Sequence, residues 1–304
     1  MSRAFGVPVS RIATLGGGRS ARRARKARKE PDVVHARVGR ERPEAARWTT
    51  QNMDDKGSAS LDSGKRRPLG KGPSHAPPDL SVGVVVPVLN EAGTLDYYLS
   101  RLYEVTRARC PVVVVDGGST DGSRSVARRY FHAEKTVQAS RGEQMNHGAR
   151  CLLTDVLVFL HADTELPRGF DYYIRQVLAE SGVVGGCFRL EFDVAHPLLK
   201  AYSWFTRFPG RFFHFGDQGF FIRRDVFCGM GGFSPLLFLE DVDLLRRLRK
   251  HGKFVTLCVP VRTSARRFLR RGIMRQQLTN LLLVTLFELG VSAERLAAAY
   301  PHVR

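Results

Sequence analysis

Cysteine is scarce in this chain and never paired. Cys110, Cys151, Cys187, Cys228 and Cys258 stand far apart with no C-x-x-C spacing. That excludes a zinc-ribbon arrangement or a disulfide framework. It points instead to reduced thiols, buried among aliphatic and aromatic neighbours, in a non-oxidising compartment. Long apolar runs are missing as well. No stretch reaches the ~18 consecutive apolar residues of a transmembrane helix, and none near the start suits a secretory signal. The nearest approach, residues 278–291, is interrupted by Thr279, Asn280, Thr285 and Glu288 and follows Arg266, Arg267, Arg270, Arg271 and Arg275. A core helix and an interfacial helix in peripheral contact with an anionic membrane both suit that pattern. RNA-type aromatic motifs are absent, so no specific nucleic-acid recognition is expected.

Acidic residues are lacking at the start. The first is Glu30, whereas residues 19–29 hold seven Lys and Arg; an organellar transit peptide, a solvated basic tail and an upstream start-site artefact all suit this composition. Periodic apolar positions are lacking up to about Pro78, where Arg, Lys, Gly, Ser and Pro dominate. Residues 1–79 are therefore expected to form a disordered basic arm that cannot offset its ordering entropy by burial. The expected location is cytoplasmic, or an organellar stroma or matrix if the arm is a transit peptide. Residues 80–304 are long enough to bury a sizeable core as one catalytic domain with C-terminal helices. There are 18 Lys and Arg against 8 Asp and Glu in residues 1–79, and 30 against 21 thereafter. The folded part is thus basic in its own right and suits anionic partners such as nucleoside diphosphates, phospholipid surfaces or nucleic acid.

After Pro78, strand and helix patterns alternate. Apolar runs at 82–86, 111–115 and 156–160 read as buried strands. Leu95, Tyr98, Leu99, Leu102 and Val105 recur at helical spacing, and 123–130 and 143–153 read as further helices. Parallel neighbours need crossover helices and bury both faces, so this order predicts an α/β domain with a mostly parallel central sheet and helices on both faces. The second half is less regular, with strands predicted at 183–192, 218–223 and 254–260 and a helix at 241–251.

The first three strands each end in polar groups: Pro87-Val88-Leu89-Asn90-Glu91, Asp116-Gly117-Gly118-Ser119-Thr120-Asp121-Gly122, and His161-Ala162-Asp163. Such a strand edge is where open α/β sheets bind ligands. Asp116 there suits a hydrogen bond to a nucleobase or ribose, and its glycines admit a close ligand, although Asp and Gly also make plain turns. Asp163 suits a carboxylate held beside a diphosphate by Mg²⁺ or Mn²⁺, with His161 either a further ligand or a hydrogen-bonding neighbour. Arg141 opens a helix with a guanidinium at its positive end, an anion site. Glu240-Asp241 suit an N-cap or a general base, roles that do not exclude one another. Gly216-Asp217-Gln218 and the Gly-rich 229–233 suit loops that close over a sugar. Arg266-Arg267 suit either neutralisation of a departing diphosphate or a solvated face.

In this order the motifs resemble those of the family 2 glycosyltransferases: Val-Val-Val-Pro-Val-Leu-Asn-Glu at 84–91, Val-Val-Asp-Gly-Gly-Ser-Thr-Asp-Gly at 114–122, Phe-Leu-His-Ala-Asp-Thr at 159–164, Gly-Asp-Gln at 216–218 and Leu-Glu-Asp at 239–241. Arg-Gly-Glu-Gln-Met-Asn at 141–146, Gly-Asp-Gln and Ser-Ala-Arg-Arg-Phe at 264–268 look like the small subgroup found beside radical-SAM and selenium-domain proteins. The resemblance covers residues 80–300 and implies a GT-A fold, a nucleotide-sugar donor, a divalent Mn or Mg cation, inversion at the anomeric carbon and an acceptor of unknown identity. Carried over by position, it implies that Pro87, Asn90, Glu91, Asp116, Gly117 and Ser119 hold the nucleotide, with Arg141 and Asn146 nearby. It implies further that Asp163 anchors the metal and that Asp241 is the base, supported by Glu240. His161, Asp217, Gln218, Arg266 and Arg267 would then serve the sugar, acceptor or diphosphate.

Two positions depart from the family pattern. His161 stands where the metal motif usually begins with Asp. The Gln-x-x-Arg-Trp of processive members is absent, with Arg266-Arg267-Phe268 a partial analogue, so a single transfer is expected. Two other classes compete. Nucleotidyl transfer on a related sheet would need a Gly-rich, Arg- or Lys-containing loop directly after the first strand, where residues 87–91 stand. A non-catalytic anion- or membrane-binding module would rest on charge alone.

Overall fold

The computed structural model describes residues 79–107, 109–136, 140–207, 216–236 and 238–299; the arm expected at 1–79 lies outside them except for Asp79. The first half of the fold is β1 (Val82–Val88), α1 (Ala92–Thr106), β2 (Val112–Asp116), α2 (Ser123–Ala127), β3 (His132–Lys135), α3 (Arg141–Cys151) and β4 (Val156–Phe159). The second is β5 (Thr164–Glu165), α4 (Phe170–Leu178), β6 (Val183–Phe192), α5 (Pro197–Phe205), a 3-10 turn (Gly216–Gln218), β7 (Phe220–Arg223), α6 (Arg224–Gly229), α7 (Glu240–Leu248), β8 (Lys253–Thr263), α8 (Arg266–Arg271), α9 (Ile273–Glu288) and α10 (Ala293–Ala299).

β-branched valines fit the pleat, and every residue of β1 and β2 is buried because helices cover both faces. Val84 and Val86 share a core with Leu95 and Leu99 of α1 and Phe170 and Ile174 of α4. Val85, pointing the other way, shares one with Met145 and Ala149 of α3 and Leu244 and Leu248 of α7. Gly148 sets the spacing of α3 on the sheet, since a Cβ there would stand 2.4 Å from Val85 Cγ1.

The strands follow the order β3-β2-β1-β4-β7-β6-β8-β5. β1 pairs in parallel with β2 and β4, β2 with β3, and β6 with β8, whereas β7 runs antiparallel to both β4 and β6, and β5 to β8. The parallel half therefore delivers the ends of β1, β2 and β4 to one rim, and the mixed half closes against it.

Several element ends differ from the sequence reading. The helix expected over 123–130 stops at Ala127, where the Tyr130 and Phe131 amides both turn back to the Ala127 carbonyl and feed β3. The strand expected from 218 begins at Phe220, since Gly216–Gln218 winds into a 3-10 turn. Of the five cysteines expected to be buried, Cys110 and Cys187 are, whereas Cys258 is half-buried and Cys151 and Cys228 are exposed. Burial pushes the Cys110 and Cys187 thiols up to about 12. Much of residues 278–291 falls in α9, whose inner side (Leu283, Val284, Phe287) packs with Val242, Ala293 and Leu296. No helix among the described residues is long and apolar enough to cross a membrane.

Candidate active site

The loops that follow β1 and β2 are tied together by short polar side chains. Asn90 adopts a left-handed backbone, φ 53°, which asparagine tolerates better than most residues. Its Oδ1 accepts the Thr120 amide at 2.9 Å, and its own amide donates to Ser119 Oγ at 2.9 Å. The Glu91 amide donates to Ser123 Oγ, and Asp121 Oδ2 accepts the Ala92 amide at the start of α1. Asp116 is 1% exposed and accepts the Ser119 amide at 3.2 Å. Pro87 is buried within β1 opposite Val115. Gly117 allows a close approach, as a Cβ there would stand 2.3 Å from Nε2 of the buried Gln144. Pro87, Asn90, Glu91, Asp116, Gly117 and Ser119 thus share one rim, with the Asn90 and Ser119 side chains fixing its shape.

Glu91 reaches across that rim to α8, where Arg266 Nη2 donates to its Oε2 at 2.6 Å. Arg266 is therefore joined to the first loop, while Arg267 is left exposed in the field of the acids at the end of β4. Those acids form the centre of the site. Asp241 Oδ2 accepts the Gly216 amide at 2.6 Å, and its Oδ1 accepts the Val242 amide at 2.8 Å. Glu240, buried, stands 3.5 Å from Arg141 Nη1. A small cavity among them is lined by Met145, Phe159, His161, Gly216, Phe233 and Asp241.

The electrostatics tie these groups into one unit. Burial pushes the Asp163 carboxyl up, opposed first by the Arg267 guanidinium, while Glu91 adds to the rise. Burial likewise pushes Asp217 up to about 7, helped by the carboxylates of Asp241 and Asp163, and its buried Oδ1 has no hydrogen-bond partner among the described residues. Burial holds the His161 imidazole well below its usual range, with Arg141 and Arg267 acting in the same direction, so His161 is neutral at pH 7. Burial also raises Glu240, against the pull of Arg141. The buried carboxyls of Asp163 and Asp217 thus lie in the field of Arg267, and Asp217 also in that of Asp241 and Asp163.

Two expectations need correction. Glu240 and Asp241 do not cap α7. Leu239 holds the cap position with a left-handed φ of 59° and no side-chain bond, and the acids lie inside the first turn, where the helix dipole still favours them. A leucine in that conformation is strained, and such residues cluster at functional sites. The Gly-rich loop at 229–233 is not free to close. Arg247 donates to the carbonyls of Met230 and Gly232, and Asn146 exchanges two 2.9 Å hydrogen bonds with the Phe233 backbone. Asn146, expected near the nucleotide, spends both ends of its amide on that loop. Gln218, the last residue of the 3-10 turn, is buried. Arg141 follows a capping box, in which Ser140 Oγ accepts the Glu143 amide and Glu143 accepts the Ser140 amide.

Tyr202 of α5 was not legible in the sequence. Burial lifts its phenol well above the usual value, with Asp217 next and Asp241 adding, which marks it as a neighbour of the acidic centre; Gln277 acts the other way. Nothing in its local pattern distinguishes it.

Among the described residues no group of three His, Cys, Asp or Glu is arranged to hold a metal. Asp163 with neutral His161 is then the available donor set. Mg²⁺ and Mn²⁺ accept one or two protein ligands and complete their shells with phosphate oxygens and water. A cation would also favour the ionised carboxylates of Asp163 and Asp217, which burial first and neighbouring acids second disfavour, so the residues fit such an ion.

A family model described as Glycosyl transferase family 2 matches residues 83–237. Validoxylamine A glucosyltransferase of Streptomyces hygroscopicus subsp. jinggangensis is 32% identical over 151 residues, which is 45% of this chain and 34% of that protein. Succinoglycan biosynthesis protein ExoA of Rhizobium meliloti is 45% identical over 93 residues, 30% of this chain and 26% of the other. The chain thus spans about a third or less of the length of these curated relatives. Among solved structures, mannosyltransferase PcManGT from Pyrobaculum calidifontis, in complex with GDP-Man and Mn²⁺, superposes with a TM-score of 0.53 at 22% identity, covering 79% of this chain and 74% of that one. TarS 1-349 of S. aureus gives 0.50 at 12% identity, covering 74% and 73%. These are likenesses of fold, and the fold is GT-A.

Proposed function

The chain belongs to glycosyl transferase family 2, and from that premise we propose that it moves a sugar from a nucleotide-sugar donor to an acceptor hydroxyl by a metal-dependent, inverting displacement. The observation that carries this reading is the meeting of Asp163, Asp217 and Asp241, set against Arg141 and Arg267, beside the rim where β1, β2 and β4 end.

In this reading Asp116 and Glu91 hold the nucleoside on a rim kept rigid by Asn90 and Ser119. Asp163 and His161 would hold Mn²⁺ or Mg²⁺, which supplies positive charge to offset the diphosphate and the charge it gains on leaving. Asp241, its Oδ2 fixed by the Gly216 amide, takes the proton of the acceptor hydroxyl as that oxygen bonds to the anomeric carbon. The bond from that carbon to the diphosphate breaks on the opposite face with its electron pair, so configuration inverts. Arg267 and Arg141 meet the departing anion; preorganised charge of this kind is a large part of catalysis in a buried site. Glu240, held by Arg141, keeps α7 and α3 in register beneath the base. The motifs at 141–146 and 264–268 support placement in the radical-SAM and selenium-domain-associated subgroup.

The test is a panel of nucleotide sugars, each with and without Mn²⁺ or Mg²⁺, read by thermal shift and then by the anomeric configuration of any product. Selective, metal-dependent stabilisation and an inverted product are expected. Retention of configuration, or stabilisation by nucleoside triphosphates alone, would remove the reading in favour of another transferase class.

A further inference from the structure

α9 is apolar on two sides. Its inner side packs with α7 and α10. Its other side carries Met274, Leu278, Leu281 and Leu282, which are 55%, 60%, 50% and 44% exposed and recur at i, i+4, i+7 and i+8 as one stripe. The helices packed on α9 carry exposed apolar side chains as well. α5, which packs on α9, exposes Leu198, Trp204 and Phe205, and α8 exposes Leu269. Single exposed leucines are ordinary, but a stripe spread over adjoining helices marks an interaction surface.

Charge selects the occupant. From Ala265 to Phe287 the chain has five arginines and no acid. Arg266 is engaged by Glu91 and Arg267 serves the acidic centre, so Arg270, Arg271 and Arg275, all exposed, are left beside the stripe. Lys200 and Arg207 add exposed cations on and just after α5. Aliphatic side chains flanked by guanidiniums, with a tryptophan among them and no carboxylate between Ala265 and Phe287, match the interface of a bilayer: the leucines enter the acyl boundary, the arginines meet phosphates, and the indole sits at head-group level. A protein partner of ordinary composition would ask for no such exclusion of acids.

We propose that α5, the end of α8 and the outer stripe of α9 form a docking face for an anionic lipid bilayer. α8 opens with Arg266 and Arg267 and closes with Arg270 and Arg271, so the face begins within about one turn of the site's own arginines. If the glycosyl-transfer reading holds, an acceptor carried in the bilayer is delivered beside that site; the docking itself does not depend on that reading.

The experiment is co-sedimentation of the full chain with vesicles of phosphatidylcholine alone or mixed with phosphatidylglycerol, at physiological salt, with Mn²⁺-dependent nucleoside-diphosphate binding measured on the same samples. Partition at least about tenfold stronger on the anionic vesicles is expected. It should be lost in the Leu278→Asp/Leu281→Asp variant and in the Arg270→Gln/Arg271→Gln/Arg275→Gln variant, with nucleotide binding unchanged in both. Should the leucine variant melt early, the arginine variant still decides, together with a blue shift of tryptophan emission on anionic vesicles that Trp204→Phe abolishes. Equal binding to both vesicle types, no binding to either, or retention by the arginine variant would overturn the proposal. So would a concentration-dependent dimer that Leu278→Asp dissolves, because the face would then belong to a second copy of the chain.

Discussion

The Gly216 amide donates to Asp241 Oδ2 at 2.6 Å, across 25 positions of sequence, and the same glycine lies against His161. A Cβ at position 216 would stand 2.7 Å from His161 Nε2 and 3.2 Å from Asp241 Oδ2. The 3-10 turn therefore sets the distance between the end of β4 and the start of α7 with no room to spare.

Gly216→Ala is expected to displace one or both of those side chains by a few tenths of an ångström while leaving the core intact. A misplacement of about 1 Å in a reacting site can cost about 10²-fold in rate, whereas an extra methyl forced into packed surroundings typically costs about 1–3 kcal/mol of stability. Transfer should fall at least about tenfold with nucleotide binding retained. A melting temperature that collapses together with activity would mean that the turn is structural and not a spacer.

Asp241→Asn keeps the shape of the side chain and an oxygen able to accept the Gly216 amide, but it cannot take a proton. Donor affinity should stay near that of the natural chain and transfer should fall by roughly 10²-fold or more, the usual worth of a general base. Because Leu239 and not Asp241 holds the cap position of α7, little stability should be lost. Isothermal titration beside initial rates separates the two quantities, and undiminished turnover would move the base to Asp217.

Asp217 gives the fold a pH dependence of definite sign. Its carboxyl titrates near 7 when folded, against 3.8 for an unperturbed group. Between those values the native state holds a proton that the unfolded chain has released. Stability contributed by the protonated form is complete below about pH 4 and is lost as pH rises through about 7. Relative to the natural chain, Asp217→Asn should therefore gain melting temperature as pH rises through that window and level off above it. Parallel melting curves from pH 4 to pH 8 would show that the Asp217 carboxyl is not held up by its neighbours.

The parallel half of the fold was legible because Val82, Val84, Val86 and their counterparts in β2 and β4 are buried on both faces and so appear as unbroken apolar runs. β3 was not, since His-Ala-Glu-Lys is an edge strand with one buried residue, and the two-residue β5 leaves no periodicity to read. α4 carried a clear signal that went unread: Phe170, Ile174, Val177 and Leu178 lie at i, i+4, i+7 and i+8 and are all buried. In the site, Asp116, Asp163 and Asp241 announced themselves by following apolar runs or opening a helix. The pairing of Glu91 with Arg266 and the clasp of Asn146 on Phe233 join residues 175 and 87 positions apart, and no local pattern encodes such contacts. The same is true of Tyr202, whose polar neighbours come from distant segments.

The most direct measurement is calorimetric titration of nucleoside diphosphates into the chain with and without Mn²⁺, repeated on Asp163→Ala. Asp163 sits at the end of β4 with its carboxyl raised by burial and opposed by Arg267, which is the condition a divalent cation relieves. The expected result is binding that requires Mn²⁺ in the natural chain and is lost in Asp163→Ala at an unchanged melting temperature, with His161→Ala losing less. Equal affinity with and without Mn²⁺, or a metal-dependent affinity that survives Asp163→Ala, would contradict a metal-assisted transferase centred on Asp163.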